Sequence, residues 1–569
     1  MKSSLRIAVF TALLAGSQVP AFAQWTTDPA GGIPLCPADG TFTPCSVSDG
    51  AGGAITVWED RRSGWGDIYA QRISASGHVL WNPSGVAICT AYLYQMAPKV
   101  VSDGAGGAII TWNDQRSGVR LYAQRIDRNG VLGWAADGVE ICTVADANPG
   151  YPQIDGDGAG GAIITWSDYR NGFGSVYAQR INDLGAVQWP ANGVVICTGT
   201  TFNGDIRPTI VGDGAEGAII TWNDNRVDGG NSCDIYAQRI GALGVVGWAV
   251  NGVAICTAAN SQTIPAIVGD GVGGAIITWQ DGRVHPMTPD IYARRINASG
   301  VVQWTADGVA ICSAGGGQYE PKIIGDGIGG AIVAWGDRRN GYTIAMLAQR
   351  VSASGFVQWT ADGVRVCIED AWTGSLAIVG DGAAGAIIAW TRYIPPYTND
   401  GDIYAQHLSA SGVAQWAVTQ GVAICTAPNM QNATTIVDDG AGGAVIAWSD
   451  SRSGTSIYAQ RVQANGQLGG YVASVPEAAG VSLVNFPNPF NPRTTIRFEL
   501  PRAGSVQLAV FDVAGRLVRV LVETELDQGA HDTDWDGRDA SGRKVGSGSY
   551  LARLRSGGKV ETVRMALVQ

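Results

Sequence analysis

Gly212–Thr257 reads GDGAEGAIITWNDNRVDGGNSCDIYAQRIGALGVVGWAVNGVAICT, and the chain writes close variants of this stretch eight times. The Asp that opens each copy is Asp49, Asp103, Asp157, Asp213, Asp270, Asp326, Asp381 and Asp439, at spacings of 54 to 58 residues. A fixed period of this length marks a repeat architecture, in which one supersecondary unit is stacked against its neighbours. Four β-patterned runs fall in the quoted copy: Pro208–Val211, Ala218–Trp222, Asp234–Ile240, and a last run from Val245 through Trp248 that crosses a turn and ends at Val253–Cys256. β-Branched and aromatic residues fill these runs, and Gly, Asp and Asn punctuate them. No segment carries a capped helical period.

Four antiparallel strands per copy predict the blades of a β-propeller, where radial repetition protects the sheet edges. A straight β-solenoid is the competing architecture, and the chain ends discriminate. The eighth copy has its first three runs but degenerates at Gly466–Gly470, while the missing piece stands near the other end as Trp25 followed by Gly31-Gly32-Ile33-Pro34-Leu35-Cys36. A repeat split between the two termini closes a ring. The expected fold is all-β: an eight-bladed β-propeller over residues 24–468, closed by an N-terminal strand, then a linker at 469–482 and a small Ig-like β-sandwich at 483–569.

Composition bounds the partners. The net charge is −11 with no basic run, which argues against nucleic acid or an anionic membrane. Residues 1–23 read as a signal peptide, with Lys2 and Arg6, an apolar core and an Ala21-Phe22-Ala23 cleavage site; no later run is long enough for a transmembrane segment. Seven of the ten Cys (Cys89, Cys142, Cys197, Cys256, Cys312, Cys367, Cys425) recur at one repeat position, too far apart to bridge one another, and read as small buried apolar residues. Cys36 and Cys45 bracket PADGTFTP, and the sequence fits both a disulfide between them and two free thiols.

After each second-strand Trp comes x-D-x-R, as in Trp58/Asp60/Arg62, and the third strand adds an Arg such as Arg72. The seventh copy loses all three together, with Arg392, Ile394 and His407 in their places. Joint loss predicts one structural Asp–Arg cluster per blade. Turns between strands one and two, and three and four, are nearly constant and read as scaffold. The other end of each blade carries variable loops with Trp65, Tyr92, Tyr94, Tyr151, Phe202, Asp205, His285, Tyr319, Glu320, Trp372, Tyr393 and Tyr397. Variable aromatic-bearing loops on a rigid ring are where binding residues concentrate. There is no nucleophile elbow, zinc-protease helix motif or P-loop, so no catalytic residue, metal ligand or cofactor is assigned. Off-repeat acids for paired-carboxylate chemistry are Asp205, Glu320, Glu369 and Asp370.

Two resemblances accompany these residues. Phe486-Pro487-Asn488-Pro489-Phe490-Asn491-Pro492, Val510–Val518 and Trp535-Asp536-Gly537-Arg538-Asp539 through Tyr550 resemble the FlgD-type Ig-like domain and the type IX secretion sorting domains of secreted bacterial proteins. That resemblance implies a sorting or attachment module, although the tail Arg564–Gln569 lacks a Lys-rich ending. Arg72-Ile73-Ser74-Ala75-Ser76-Gly77 to Trp81 resembles quinoprotein repeats, which implies eight blades with inter-blade Trp docking; that family's adjacent Cys pair is absent. The expectation is an exported, extracellular or cell-surface binding or structural protein whose partner is a glycan or a protein. The alternative is a secreted carbohydrate-active hydrolase or lyase with carboxylates at the ring centre. Oligomeric state is not legible.

Overall fold

The computed structural model describes residues 25–36, 39–144, 147–199, 206–226, 232–341, 343–367, 372–393, 400–416, 420–469, 483–486, 492–500, 504–512, 516–527, 529–556 and 559–567. The expected signal peptide and linker lie outside them, apart from Gly469. All helix-or-strand structure among the described residues is β, so no helix there is long and apolar enough to cross a membrane. The chain divides into two compact units, Met1–Val472 and Ala473–Gln569.

The first unit is a propeller-like series of eight four-stranded antiparallel sheets. Seven use strands in chain order, as in Thr41–Ser48, Ala54–Asp60, Asp67–Ile73 and Val86–Cys89 of the first sheet. The eighth combines Gln431–Asp438, Ala444–Asp450 and Ser456–Val462 with Ile33–Cys36 from the other end of the chain. Ile33 stands opposite Ala459 and Pro34 opposite Tyr458. The fourth strand is shorter than its sequence suggests: Val253–Cys256 pairs with the third strand across one register shift, whereas the Val245–Trp248 stretch touches that strand through one bridge, Ile240 to Val246.

Second strands are buried along their whole length except at the last two residues of the seventh, Arg392 and Tyr393, and each carries a Trp with no exposed surface, from Trp58 to Trp448. Burying an indole removes about 150–250 Å² from water, so these rings anchor the sheets. They also explain the Gly of the recurring G-V-x-I-C. A Cβ on Gly138 would come within 2.6 Å of the Trp112 ring and 2.9 Å of a backbone oxygen, and the residue has φ +90°. Gly32, just before the displaced fourth strand, faces Trp448 in the same way.

The repeated polar residues form two clusters, not the single one expected. In the first, Asp114 accepts the Trp112 indole N–H at 3.0 Å and a bidentate pair from Arg116 at 2.9 and 2.6 Å, while Arg116 lies 4.1 Å over the Tyr122 ring. Cys89 of the preceding sheet completes it, its Sγ 3.0 Å from Arg116 and 3.7 Å from Asp114. Burial pushes the Cys89 thiol up to about 12, so it stays protonated and can donate to the carboxylate. The recurring Cys is therefore a polar link between sheets, not merely an apolar filler. The second cluster is built on the opening Asp: Asp103 caps its hairpin through Ala105 and Gly107 N–H, both at 2.8 Å, and takes Arg125 from the third strand. The third-strand Arg thus pairs with the hairpin Asp because its strand position lies at the opposite end from x-D-x-R.

Sheets are stitched by fourth-run Trp residues. Trp81 Nε1 donates to Arg128 O, Trp359 to Ala410 O and Trp416 to Ala464 O, each in the following sheet. Trp25 does the same to Ala75 O of the first sheet at 2.8 Å. The two thiols left open by the sequence form no disulfide with each other. Cys36 sits at the recurring Cys position, 2.9 Å from Arg62, whereas Cys45 lies on a first strand, 3.3 Å from Pro98 O. Their separate roles in different sheets account for the missing bridge.

In the second unit, Leu483–Phe486, Thr494–Leu500 and Gly529–Trp535 form one sheet, and Leu517–Leu526, Gly504–Asp512, Gly548–Ser556 and Lys559–Leu567 another. Ile496, Phe498, Val510, Trp535, Tyr550 and Met565 share one core. Asp539 caps a turn through Ser541 and Arg543 N–H, and Asp536 pairs with Arg519.

Candidate binding face

The constant Asp-Gly hairpins occupy one end of each sheet in the first unit, so the variable second-to-third-strand loops and the sheet-to-sheet connections share the other end. First strands carry the key distortion. The register slips between Met96 and Lys99, Thr263 and Ala266, Tyr319 and Lys322, and at the equivalent point of other copies. The bulged residue is left-handed without being Gly: φ is +53° at Ala97, +48° at Tyr151, +52° at Ile264 and +53° at Glu320. Such bulges re-aim side chains, and a β-branched residue at positive φ is a strained outlier. In these copies Pro follows directly, as Pro98, Pro152, Pro265 and Pro321.

This geometry sorts the expected site residues. Trp65 from a loop of the first sheet meets Tyr92 and Tyr94 from the connection to the second, at ring centroid distances of 6.0 and 5.1 Å, both edge-on. Tyr92 is 72% and Trp65 39% exposed, so the trio is a surface patch and not core. Tyr319 and Glu320 line a cavity of about 460 Å³ with Gln280, Arg338, Met346 and Ser375. There the Arg338 guanidinium lies 5.2 Å over the Tyr319 ring, and Glu320 N–H donates to Gln280 Oε1 at 2.7 Å. Tyr151 lies under Arg207 at 4.9 Å, on the wall of another cavity of about 580 Å³.

The remaining candidates do not converge with these. His285 is exposed in its loop, with its carbonyl accepting Thr288 N–H. Tyr393 ends a second strand half-buried, and burial pushes its hydroxyl pKa upward; its backbone pairs with Trp372 and Gly401. Phe202, Asp205, Tyr397, Glu369 and Asp370 lie outside the described residues, as does the side chain of Trp372.

The 580 Å³ cavity was not foreseen. Residues from the first strands of seven sheets line it, including Lys99, Gln153, Thr209, Ala266, Lys322, Ala377 and Thr435. These occupy one register level, each opposite an equivalent second-strand residue. Copies disagree in charge at this position, and that signal was available in the sequence. Among the described residues no group of three or more His, Cys, Asp or Glu is arranged to hold a metal ion.

The FlgD Ig-like domain family matches residues 490–558. No curated protein matches the chain. Among solved structures, a PL25 ulvan lyase bound to a sugar ligand is 11% identical, with 78% of this chain and 98% of that one covered and a TM-score of 0.42. PorZ, a surface component of the type IX secretion system of Porphyromonas gingivalis, is 11% identical over 94% of this chain and 83% of its own, with a TM-score of 0.29. An α-L-arabinanase of Penicillium chrysogenum is 12% identical over 55% and 92%, with a TM-score of 0.34. Likenesses this distant carry no argument about activity.

Proposed function

We propose that the eight sheets form one closed eight-bladed propeller and that the protein is an exported binding protein, presenting its variable loop face to an extracellular glycan or protein. Ring closure is supported by the displaced strand Ile33–Cys36 and by the Trp25–Ala75 bond, which repeats the link found between successive sheets. The Ig-like unit, taken as 483–569 after a linker at 469–482, serves as the sorting or attachment module, and export follows from residues 1–23. The observation that carries the binding reading is the Trp65–Tyr92–Tyr94 patch: three aromatic rings pooled from two variable segments, with two of them exposed. Rings of this kind supply rigid apolar contact area with polar edges, which suits sugar faces and extended peptides.

The hydrolase alternative needs a second carboxylate near the first. Glu320 is the one acid among the described residues lining its cavity. The deciding experiment is a panel of neutral and acidic polysaccharides scored for both retention and depolymerisation. We expect retention without cleavage, and a Trp65→Ala/Tyr92→Ala variant should lose about tenfold in affinity, roughly 1.4 kcal/mol, with an unchanged thermal midpoint. Retention equal to that of the parent chain would remove the patch from the binding site, and depolymerisation of any substrate would replace this reading with the enzymatic one.

A further inference from the structure

The 580 Å³ cavity among the first strands has an unusual charge balance. The protein carries a net charge of −11, yet the described residues lining this cavity include Lys99, Arg207 and Lys322 and no acid. Arg207 is stacked on Tyr151 at the rim. The two lysines come from the second and sixth sheets, and neither ammonium makes a hydrogen bond or ion pair of its own among the described residues. They nonetheless feel each other: burial holds the Lys322 pKa down, Glu320 acts against it, and Lys99 adds a smaller lowering. Lys322 remains open to the water of the cavity, so its charge is accessible from within.

Two like charges facing one cavity repel, and a cation with no ion pair near protein walls is costly. Nothing in the fold requires them. Ala266 and Ala377 stand at the same register level in the fifth and seventh sheets, where the strand forms equally well without a charge. Neutral donors sit beside the lysines. Gln153, Thr209 and Thr434 share the lining, and Thr434 Oγ1 is buried with no hydrogen-bond partner. Cations, hydroxyls and an amide around one space match the needs of an oxyanion, which takes charge-assisted hydrogen bonds from several directions.

We propose that Lys99 and Lys322 form an oxyanion site within this cavity, taking a compact phosphate, sulfate or sugar-acid carboxylate. This site does not rest on the aromatic patch, which lies on another part of the first unit. The arms of the test separate a free anion from one carried on a sugar.

The test uses the full chain in low-salt buffer, with inorganic phosphate, inorganic sulfate, glucuronate and an oligomer of galacturonate as separate calorimetric titrants. Lys99→Gln, Lys322→Gln and the double variant are compared with Lys544→Gln, a lysine of the other unit. The parent chain and Lys544→Gln should bind at least one titrant, and each single variant should bind at least threefold more weakly. The double variant should lose at least tenfold. Added salt should weaken binding as it screens the charges. The inorganic titrants binding best would identify a free anion, and the galacturonate oligomer binding best would identify an acidic glycan. Thermal midpoints supply a second readout: the best titrant should raise that of the parent chain and leave that of the double variant unmoved. Binding unchanged in the double variant, or no binding of any titrant by the parent chain, overturns the proposal.

Discussion

The second and seventh sheets have the same strand order and nearly the same pairing register, and they differ in the residues that lock them. In the second, Asp114 holds the Trp112 indole and the Arg116 guanidinium together, and Asp103 holds Arg125. In the seventh, Arg392 replaces the carboxylate. Its guanidinium still lies over the Tyr404 ring at 5.2 Å, but the Trp390 indole N–H is buried without a hydrogen-bond partner. At the other end His407 replaces the Arg and still reaches Asp381, at 2.8 Å. The two clusters therefore respond independently: one is lost in the seventh sheet and the other is rebuilt with a different cation. Sheet geometry survives because the Trp rings remain buried either way, which places the backbone fold in apolar packing and the polar clusters in its reinforcement.

The strongest way to break this comparison is to make the second sheet resemble the seventh. Asp114→Ala leaves a buried indole N–H unpaired and strips a largely buried guanidinium of its carboxylate, and should cost about 3–5 kcal/mol, read as a lowered denaturation midpoint. Arg392→Ala, in contrast, removes a guanidinium that lies over the Tyr404 ring and leaves the Trp390 indole N–H as it already is, and should cost under about 1 kcal/mol. Equal losses in the two variants would mean that the seventh sheet has an equally strong lock.

A smaller effect tests the third-strand acids. Asp402 and Asp290 are each pushed up to about 6, chiefly by burial; beyond that Asp400 raises Asp402, and Asp281 raises Asp290. A carboxyl whose folded pKa lies above its unfolded value near 3.9 favours the folded state only when protonated. The ionisation penalty is absent below about pH 4, grows as pH rises through 6, and is complete above it. Asp402→Asn and Asp290→Asn should each stabilise the protein by about 1 kcal/mol at pH 7.5 after allowance for solvent screening, and the gain should vanish toward pH 4. Asp402 stands opposite Arg392 and Asp290 opposite Asp281, so a gain confined to Asp290→Asn would show that Arg392 compensates a charge that burial alone does not explain.

The sheet pattern was legible because the repeat averages out noise: eight copies expose alternating strands, and the displaced Trp25-to-Cys36 piece identifies its own sheet. The polar wiring was less legible. Asp60, Arg62 and Arg72 vary together in sequence, yet Arg72 lies one strand length from Asp60 and pairs with Asp49. Covariation among copies of one chain cannot distinguish two clusters that diverged in the same copy. The aromatic trio was visible as unusual loop residues, though not that Trp65 meets both tyrosines. Lys99 and Lys322 were missed because they sit within strands whose spacing looked purely structural, and only the common cavity brings them together.

The smallest expected effect concerns the rebuilt cluster. In the sixth sheet Arg350 Nε holds Asp326 at 3.0 Å and its Nη1 reaches Ala410 O at 3.0 Å, the carbonyl that also accepts the Trp359 indole. His407 makes the first contact alone, and its Nδ1 is buried without a partner. Burial alone would raise the Asp381 pKa, but the bond to His407, with N–H groups of Ala383 and Gly385, brings it below the usual carboxylate range. That contribution is present at neutral pH and is lost as pH falls through the lowered value. His407→Arg should restore the second arm to Ala464 O and remove the orphaned ring nitrogen, a gain of about 0.5–1 kcal/mol, measured as a raised thermal midpoint at pH 7. A lowered midpoint would mean that the edge-on contact of His407 with Trp416, at 5.9 Å, has made the seventh sheet specific for the smaller ring, and that its divergence is an adapted packing rather than a weakened copy.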